Sequence, residues 1–158
     1  MDLGIEGIRQ VKIPVSDLER SVNWYSRAFG LHLGWEFGEN GVVTSAVLTD
    51  DGETFLLGLR RLDTVPTRPS LDGFDLFSFG VGSVDGLEAL VERFDELGID
   101  HGPLFDRGAS GVQLDVRDPD GTVIRFLSPF GDHASFTGVE FQADGPPVFY
   151  SAPRLQLD

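Results

Sequence analysis

The chain has 158 residues and contains no cysteine, one methionine and one lysine. The absence of cysteine excludes disulfides, cysteine-ligated zinc, iron–sulfur clusters and thiol nucleophiles. Basic residues are also scarce, with 12 Lys and Arg against 26 Asp and Glu and a net charge of −14. Because nucleic acids and anionic membrane surfaces repel a chain this acidic, we expect neither as a partner.

The sequence also lacks a long hydrophobic run. No stretch approaches 18 consecutive apolar residues, so no transmembrane helix is predicted. The first residues have neither the basic nor the apolar segment of a signal peptide, and we therefore expect a cytoplasmic protein. Hydrophobic residues make up 41% of the chain, which suits one domain with its own core.

A weak internal repeat is the clearest feature of the sequence. The segment Ser16–Glu19 has the form of a capping box, with a hydroxyl at the predicted N-cap and a carboxylate three residues later. An apolar helical stripe follows and ends at Gly30. A second helix is predicted over Asp85–Leu97 and ends at Gly98, 68 residues after the first stop glycine. The two helices therefore occupy equivalent places in two copies of one module.

Strand signals repeat at nearly the same spacing. One strand is predicted before each helix, at Ile8–Val15 and Leu76–Val81. Asp-Gly turns at Gly52 and Gly121, 69 residues apart, introduce further strands. Each module is thus a strand, a helix and three strands, which predicts an α+β fold. The predicted boundaries are a single domain over 1–130, with module one at 5–62, a linker at 63–73 and module two at 74–130, and a C-terminal extension at 131–158.

Four stretches carry a resemblance to a known family: Ile13–Ser21, Trp24–Tyr25, Phe29–Leu31 and Asp118–Ile124. They resemble the vicinal oxygen chelate superfamily, which includes glyoxalase I, extradiol dioxygenases, fosfomycin-resistance enzymes and bleomycin-binding resistance proteins. The resemblance implies two βαβββ modules that form an incomplete eight-stranded barrel around a ligand cleft. It also implies a homodimer that pairs modules across subunits.

Metal-dependent members of that superfamily hold one divalent ion with His, Glu or Gln from four strands. The resemblance places the four positions at Gln10, Leu56 or Leu57, Leu76 and Arg125. Aliphatic side chains and a guanidinium cannot ligate a metal, so we expect neither a metal nor another cofactor here. The histidines are interpreted as surface or loop residues: His32, His101 and His133.

Alternation along the predicted strands indicates which side chains face the cleft. The expected cleft residues are Gln10, Lys12, Leu76, Ser78, Asp115 and Arg125, with Trp35 and Phe55 at its border. The hairpin register places Asp115 opposite Arg125. Two interpretations of Arg125 stay open: a clamp for an anionic ligand, a role that Lys12 and Gln10 could share, or a structural ion pair with Asp115. Trp35 and Phe55 either line the cleft, which favours a flat apolar ligand, or pack in the core.

These observations favour a metal-independent protein that binds a small organic molecule, aromatic or anionic, as in resistance proteins that sequester antibiotics. No catalytic residue is assigned. One alternative is a glyoxalase-like lyase or dioxygenase with a displaced divalent metal site. Another is metal-free proton transfer by Asp115 or another carboxylate of the cleft. Two apolar runs in the extension, Val139–Gln142 and Val148–Tyr150, either form a hairpin at the cleft or at a partner subunit, or stay disordered.

Overall fold

The computed structural model describes residues 4, 7–129, 131, 137–146 and 148–155. These residues form two α-helices and ten strands. The elements are, in chain order, β1 Gln10–Val15, α1 Leu18–Phe29, β2 His32–Glu39, β3 Val42–Thr49, β4 Leu56–Arg61, β5 Asp75–Gly80, α2 Val84–Leu97, β6 Phe105–Asp106, β7 Val112–Arg117, β8 Val123–Leu127, β9 Gly138–Glu140 and β10 Val148–Tyr150.

Each module forms its own four-stranded sheet. The strand orders are β1-β4-β3-β2 in module one and β5-β8-β7-β6 in module two. In both sheets the first strand of the module runs parallel to the last, and the other pairs are antiparallel. No ladder among the described residues joins the two sheets, so the eight strands do not close into a barrel. The predicted α+β fold of two βαβββ modules is confirmed.

The helices begin at side chains that cap their first turns. The Asp17 carboxylate accepts a hydrogen bond from the backbone amide of Arg20 at 3.0 Å, and Ser83 caps α2 in the same way. The prediction that Ser16 caps the first helix is therefore wrong by one residue. Its hydroxyl instead donates to the Asp120 carboxylate of module two. A carboxylate is also the better cap, because it interacts favourably with the positive end of the helix dipole.

The helices end as the sequence predicts. Gly30 and Gly98 have φ angles of +70° and +64°, in the left-handed region that glycine adopts without strain. Arg93 of α2 then binds the open end of α1. Its Nε donates to the carbonyl of Ala28 at 2.8 Å and its Nη2 to the carbonyl of Arg27 at 2.5 Å. A cation at a helix C-terminus satisfies free carbonyls, and here it also joins the two modules.

One hydrophobic core links the modules. Alternate strand residues face the helices and are fully buried, such as Ile13 in module one and Ile124 in module two. Phe29 at the end of α1 packs edge to face against rings of module two, with centroid separations of 5.4 Å to Phe126 and 5.8 Å to Phe79. The helix-bearing face of each sheet is thus used for the core. The opposite faces remain open to other molecules.

Two of the stretches that carry the family resemblance meet in the structure. The buried Asp118 carboxylate accepts from the backbone amides of Asp120 and Thr122, each at 2.9 Å, and from the Tyr25 hydroxyl at 2.9 Å. The backbone amide of Ser16 donates to Asp120 at 3.1 Å. Burial raises the pKa of Asp118, and the hydrogen bond from Tyr25 opposes that rise. These contacts hold the turn of module two against the first helix.

The C-terminal extension contains the predicted hairpin. Strands β9 and β10 pair antiparallel, and the Arg107 guanidinium lies 5.0 Å from the centre of the Phe141 ring. The amide of Gly131 donates to the carbonyl of Ala109 at 2.9 Å. These contacts attach the extension to the loop between β6 and β7. His133 lies outside the described residues. Within the described part of the chain, no helix has the length and hydropathy needed to cross a membrane.

Candidate functional site

A cavity of about 610 Å³ lies on the open face of the module-one sheet. Residues Trp35 and Phe37 of β2 line it, together with Val47 and Leu56 from the neighbouring strands. The two aromatic side chains are 46% and 56% exposed. A concave site of this volume with aromatic walls is typical of sites for small organic molecules.

An irregularity in β2 directs the aromatic residues into this cavity. Leu33 pairs with Leu48, a core residue, whereas Trp35 pairs with Val47 on the open face. Gly34 is the extra residue between them, so strict alternation is interrupted there. Without this bulge, Leu33 and Trp35 would lie on the same face of the sheet.

Gly58 at the base of the cavity makes room for two polar side chains. It pairs with Lys12 in the register of β1 and β4. A Cβ atom at Gly58 would lie 2.9 Å from Nε2 of Gln10 and 3.0 Å from Cγ of Lys12. Because glycine has no side chain, both residues can extend across the sheet toward the cavity.

The cavity is locally cationic in a strongly acidic protein. Arg9, Lys12 and Arg60 line it, and the one carboxylate among its lining residues is Glu39, which gives a local net charge of +2. The Arg60 Nε donates to the Thr64 hydroxyl at 3.4 Å. None of the three cations forms a salt bridge within the described residues. Arg9 and Arg60 were not predicted as site residues, because a single strand pattern does not show which cations converge.

Arg125 lies on the open face of the module-two sheet, directly opposite Asp115 as the register predicted. Its Nε and Nη2 donate to the two Asp115 oxygens at 2.9 and 3.0 Å, and its Nη1 donates to Asp75. Gln113 donates a further hydrogen bond to Asp115 at 2.8 Å. The hydrogen bonds from Arg125 to Asp115 raise the pKa of Arg125. This geometry is that of a structural ion pair with two carboxylates, and the group carries a net charge of −1.

Asp75 is the member of this group that sequence reasoning missed. Strict alternation places it on the same face as Phe77 and Phe79, which pack against the core. The register of β5 and β8 shifts by one residue between Asp75 and Ser78. This shift brings Asp75 to the open face, beside Arg125.

The structure brings together three of the eight predicted cleft residues, namely Gln10, Lys12 and Trp35. Phe55 packs against Phe79 with a centroid separation of 5.2 Å and borders an adjoining cavity of about 730 Å³ that Trp35 also lines. The other predicted residues belong to the module-two sheet: Leu76, Ser78, Asp115 and Arg125. The module-one cavity is therefore built without them.

The residues at the metal positions do not fit a divalent ion. Gln10 pairs with Leu56 across β1 and β4, and Ser78, rather than Leu76, pairs with Arg125 across β5 and β8. This set supplies an amide, an aliphatic chain, a hydroxyl and a guanidinium, but no imidazole or carboxylate. Among the described residues no group of three His, Asp or Glu side chains could hold a metal ion.

With this fold and this site, the chain belongs to the Glyoxalase/Bleomycin resistance protein/Dioxygenase superfamily, whose family model matches residues 7–126. The match ends before the C-terminal hairpin. A search of curated protein sequences gives no match.

Several solved structures share the fold. TnmS3, an antibiotic binding protein from a Streptomyces species, is 23% identical with a TM-score of 0.67, over 81% of this chain and 99% of that one. Lactoylglutathione lyase from Agrobacterium tumefaciens is 17% identical with a TM-score of 0.63, over 78% and 94%. The fosfomycin resistance protein FosX from Listeria monocytogenes is 15% identical with a TM-score of 0.61, over 79% and 94%. At these identities the likeness establishes the fold and no particular activity.

Proposed function

We propose that the protein binds a small aromatic molecule in the module-one cavity without a divalent metal. The observation that carries this proposal is the pair Trp35 and Phe37, both about half exposed on the walls of a 610 Å³ cavity. Large aromatic side chains on a concave surface gain most when a flat apolar ligand covers them. The similarity to an antibiotic binding protein supports a sequestering role.

Two enzymatic alternatives have less support. A lyase or dioxygenase of this superfamily would need a divalent ion, and the donor set around Gln10 and Arg125 does not fit one. Proton transfer by Asp115 would need a carboxylate oxygen that reaches a substrate. Both Asp115 oxygens accept hydrogen bonds from Arg125, and Gln113 adds a third. The residue is therefore held as an acceptor within its own sheet.

We also propose that two copies of the chain assemble as a homodimer. Each module leaves one sheet face open: the cavity lining on the module-one face sums to +2, and the group of Arg125, Asp75 and Asp115 on the module-two face sums to −1. The module-two face is available to a second copy, while the module-one cavity stays open to its ligand. Light scattering on the purified protein measures the molar mass, which should be that of two chains; the mass of one chain would contradict the proposed dimer.

The proposed ligand site has a convenient spectroscopic probe. The chain contains two tryptophans, Trp35 in the cavity and Trp24 in the α1 aromatic cluster, where it contacts Tyr25 and Phe29. Titration with naphthalene derivatives should quench tryptophan fluorescence in the wild type and in Trp24→Phe, but not in Trp35→Phe. Isothermal titration calorimetry should give one site per chain. Quenching that persists in Trp35→Phe would place the site elsewhere.

A further inference from the structure

We infer that the ligand of the module-one cavity is an aromatic anion whose charged group lies against Lys12, with Arg9 and Arg60 beside it. The inference rests on the proposed function, because it assigns a charge to the ligand of the same cavity. It commits to an aromatic carboxylate: a flat ring system for Trp35 and Phe37, and a carboxylate for the cations.

The first argument is the pairing of cations in this protein. The chain has 12 basic residues against 26 acidic ones, and fewer than half of the basic residues are held in ion pairs within the described part of the chain. Five arginines form such ion pairs: Arg20, Arg61, Arg117, Arg125 and Arg154. The three cations of the cavity have no carboxylate within salt-bridge distance in the described part of the chain, although Glu39 lines the same cavity. Three of the seven basic residues without an ion pair among the described residues thus converge on one concave surface, which is the place for a ligand anion.

The second argument concerns the distance over which the acidic surface charges act. The net charge of −14 would by itself repel an anion. At physiological ionic strength, however, exposed charges are screened beyond about 8 Å, so the charges that touch the ligand decide its binding. Within the cavity those charges sum to +2. The Cγ atom of Lys12 lies 3.0 Å from the position that a Cβ atom at Gly58 would take, so the aliphatic part of Lys12 covers the sheet at this glycine.

The third argument removes Arg125 as the anion anchor. Nε and Nη2 donate to Asp115 and Nη1 donates to Asp75, so its hydrogen-bonding edges are occupied. The resulting group carries a net charge of −1 and repels an anion. The anionic group of the ligand is therefore assigned to the cations of module one and not to Arg125.

The test compares three probes that share one ring system. Naphthalene-2-carboxylate, naphthalene-2-carboxamide and 2-naphthylmethylammonium carry charges of −1, 0 and +1. Calorimetry should show the carboxylate binding at least about tenfold more tightly than the amide, with the ammonium weakest. A hydrogen bond to a charged group changes the affinity by about tenfold to a hundredfold. The carboxylate affinity should fall with added salt, while the amide affinity should not.

Two variants separate the cavity cations from general charge effects. Lys12→Met keeps most of the side-chain volume and should reduce the carboxylate preference over the amide to about threefold or less. Arg27→Met removes the same charge from an exposed position on α1 and should leave the preference unchanged. Arg125→Met should also leave it unchanged, and circular dichroism checks that each variant is folded.

Each outcome has a defined meaning. Equal binding of the carboxylate and the amide would overturn the inference while the proposed aromatic site stands. Loss of the preference in Arg125→Met but not in Lys12→Met would also overturn it. A change of molar mass in Lys12→Met with unchanged ligand preference would assign Lys12 to a subunit contact instead. Absence of binding by all three probes would contradict both the proposed function and the inference.

Discussion

Replacing Tyr25 with Phe tests whether the contact between the modules stabilises the fold. The Tyr25 hydroxyl donates to Oδ2 of the buried Asp118 carboxylate at 2.9 Å, whereas the two backbone donors bind Oδ1. In Tyr25→Phe, Oδ2 loses this donor and remains out of water. The ring itself stays in place among Trp24 and Phe29, so the variant removes one hydrogen bond with little change in packing.

The expected cost follows from the charge of the acceptor. A hydrogen bond to an ionised group contributes about 1.5–3 kcal/mol, and leaving the carboxylate oxygen unsatisfied should cost a similar amount of unfolding free energy. For a chain of this length, 1 kcal/mol shifts the melting temperature by about 2–4 °C. We therefore expect Tyr25→Phe to melt roughly 3–12 °C below the wild type. Urea denaturation at pH 7 and calorimetry measure the two quantities.

The pH dependence gives a second readout of the same contact. Burial raises the pKa of Asp118 above its ordinary value of 3.8, so the folded state favours the protonated carboxyl. This contribution to the free energy of unfolding is complete below pH 3.8 and is lost as the pH rises through the folded-state pKa. The Tyr25 hydrogen bond lowers that pKa, and Tyr25→Phe should raise it further. In the variant, Asp118 is therefore protonated at a higher pH than in the wild type. The cost of Tyr25→Phe should therefore shrink from pH 7 toward pH 4.

Tyr150→Phe is the matched control. It removes the same hydroxyl from the C-terminal hairpin, where the ring packs under Arg154 and the hydroxyl has no hydrogen bond among the described residues. Its unfolding free energy should stay within about 0.5 kcal/mol of the wild type. A Tyr25→Phe cost as small as that of the control would refute the reasoning, as would a cost that does not change with pH.

Three further predictions concern the two sheet faces. Arg125→Met should lower the unfolding free energy by about 1–3 kcal/mol in urea denaturation, because Asp75 and Asp115 then face each other without a cation, and adding Asp115→Asn should restore part of the loss. A full cost in the double variant would contradict this account. Gly58→Val should abolish binding of naphthalene probes in calorimetry while circular dichroism stays unchanged, because its side chain would displace Lys12 and Gln10. Elemental analysis should find less than one divalent ion per ten chains, and chelator should not shift the melting temperature; one tightly bound ion per chain would contradict the proposed metal independence.

The sequence determined the features that depend on neighbours along the chain. The stop glycines Gly30 and Gly98 require a left-handed backbone that other residues rarely adopt, so helix ends could be read from them. The facing of Asp115 and Arg125 follows from a tight Asp-Gly turn, which fixes the register of the hairpin on both sides. The start of α1 was predicted one residue early, because Ser16 and Asp17 are both good N-caps and only Ser16 has a competing partner elsewhere in the fold.

The tertiary structure alone decided how the open faces are built. One extra residue in β5 places Asp75 beside Arg125, and one extra residue in β2 places Trp35 and Leu33 on opposite faces of the sheet. A bulge changes which face every later side chain occupies, and no local pattern in this chain marked either one. The convergence of Lys12 and Arg60 depends on parallel pairing of β1 with β4, whose residues lie almost fifty positions apart. Such long-range pairing is set by the packing of the whole domain, which is why the cationic cavity appeared only in the folded chain.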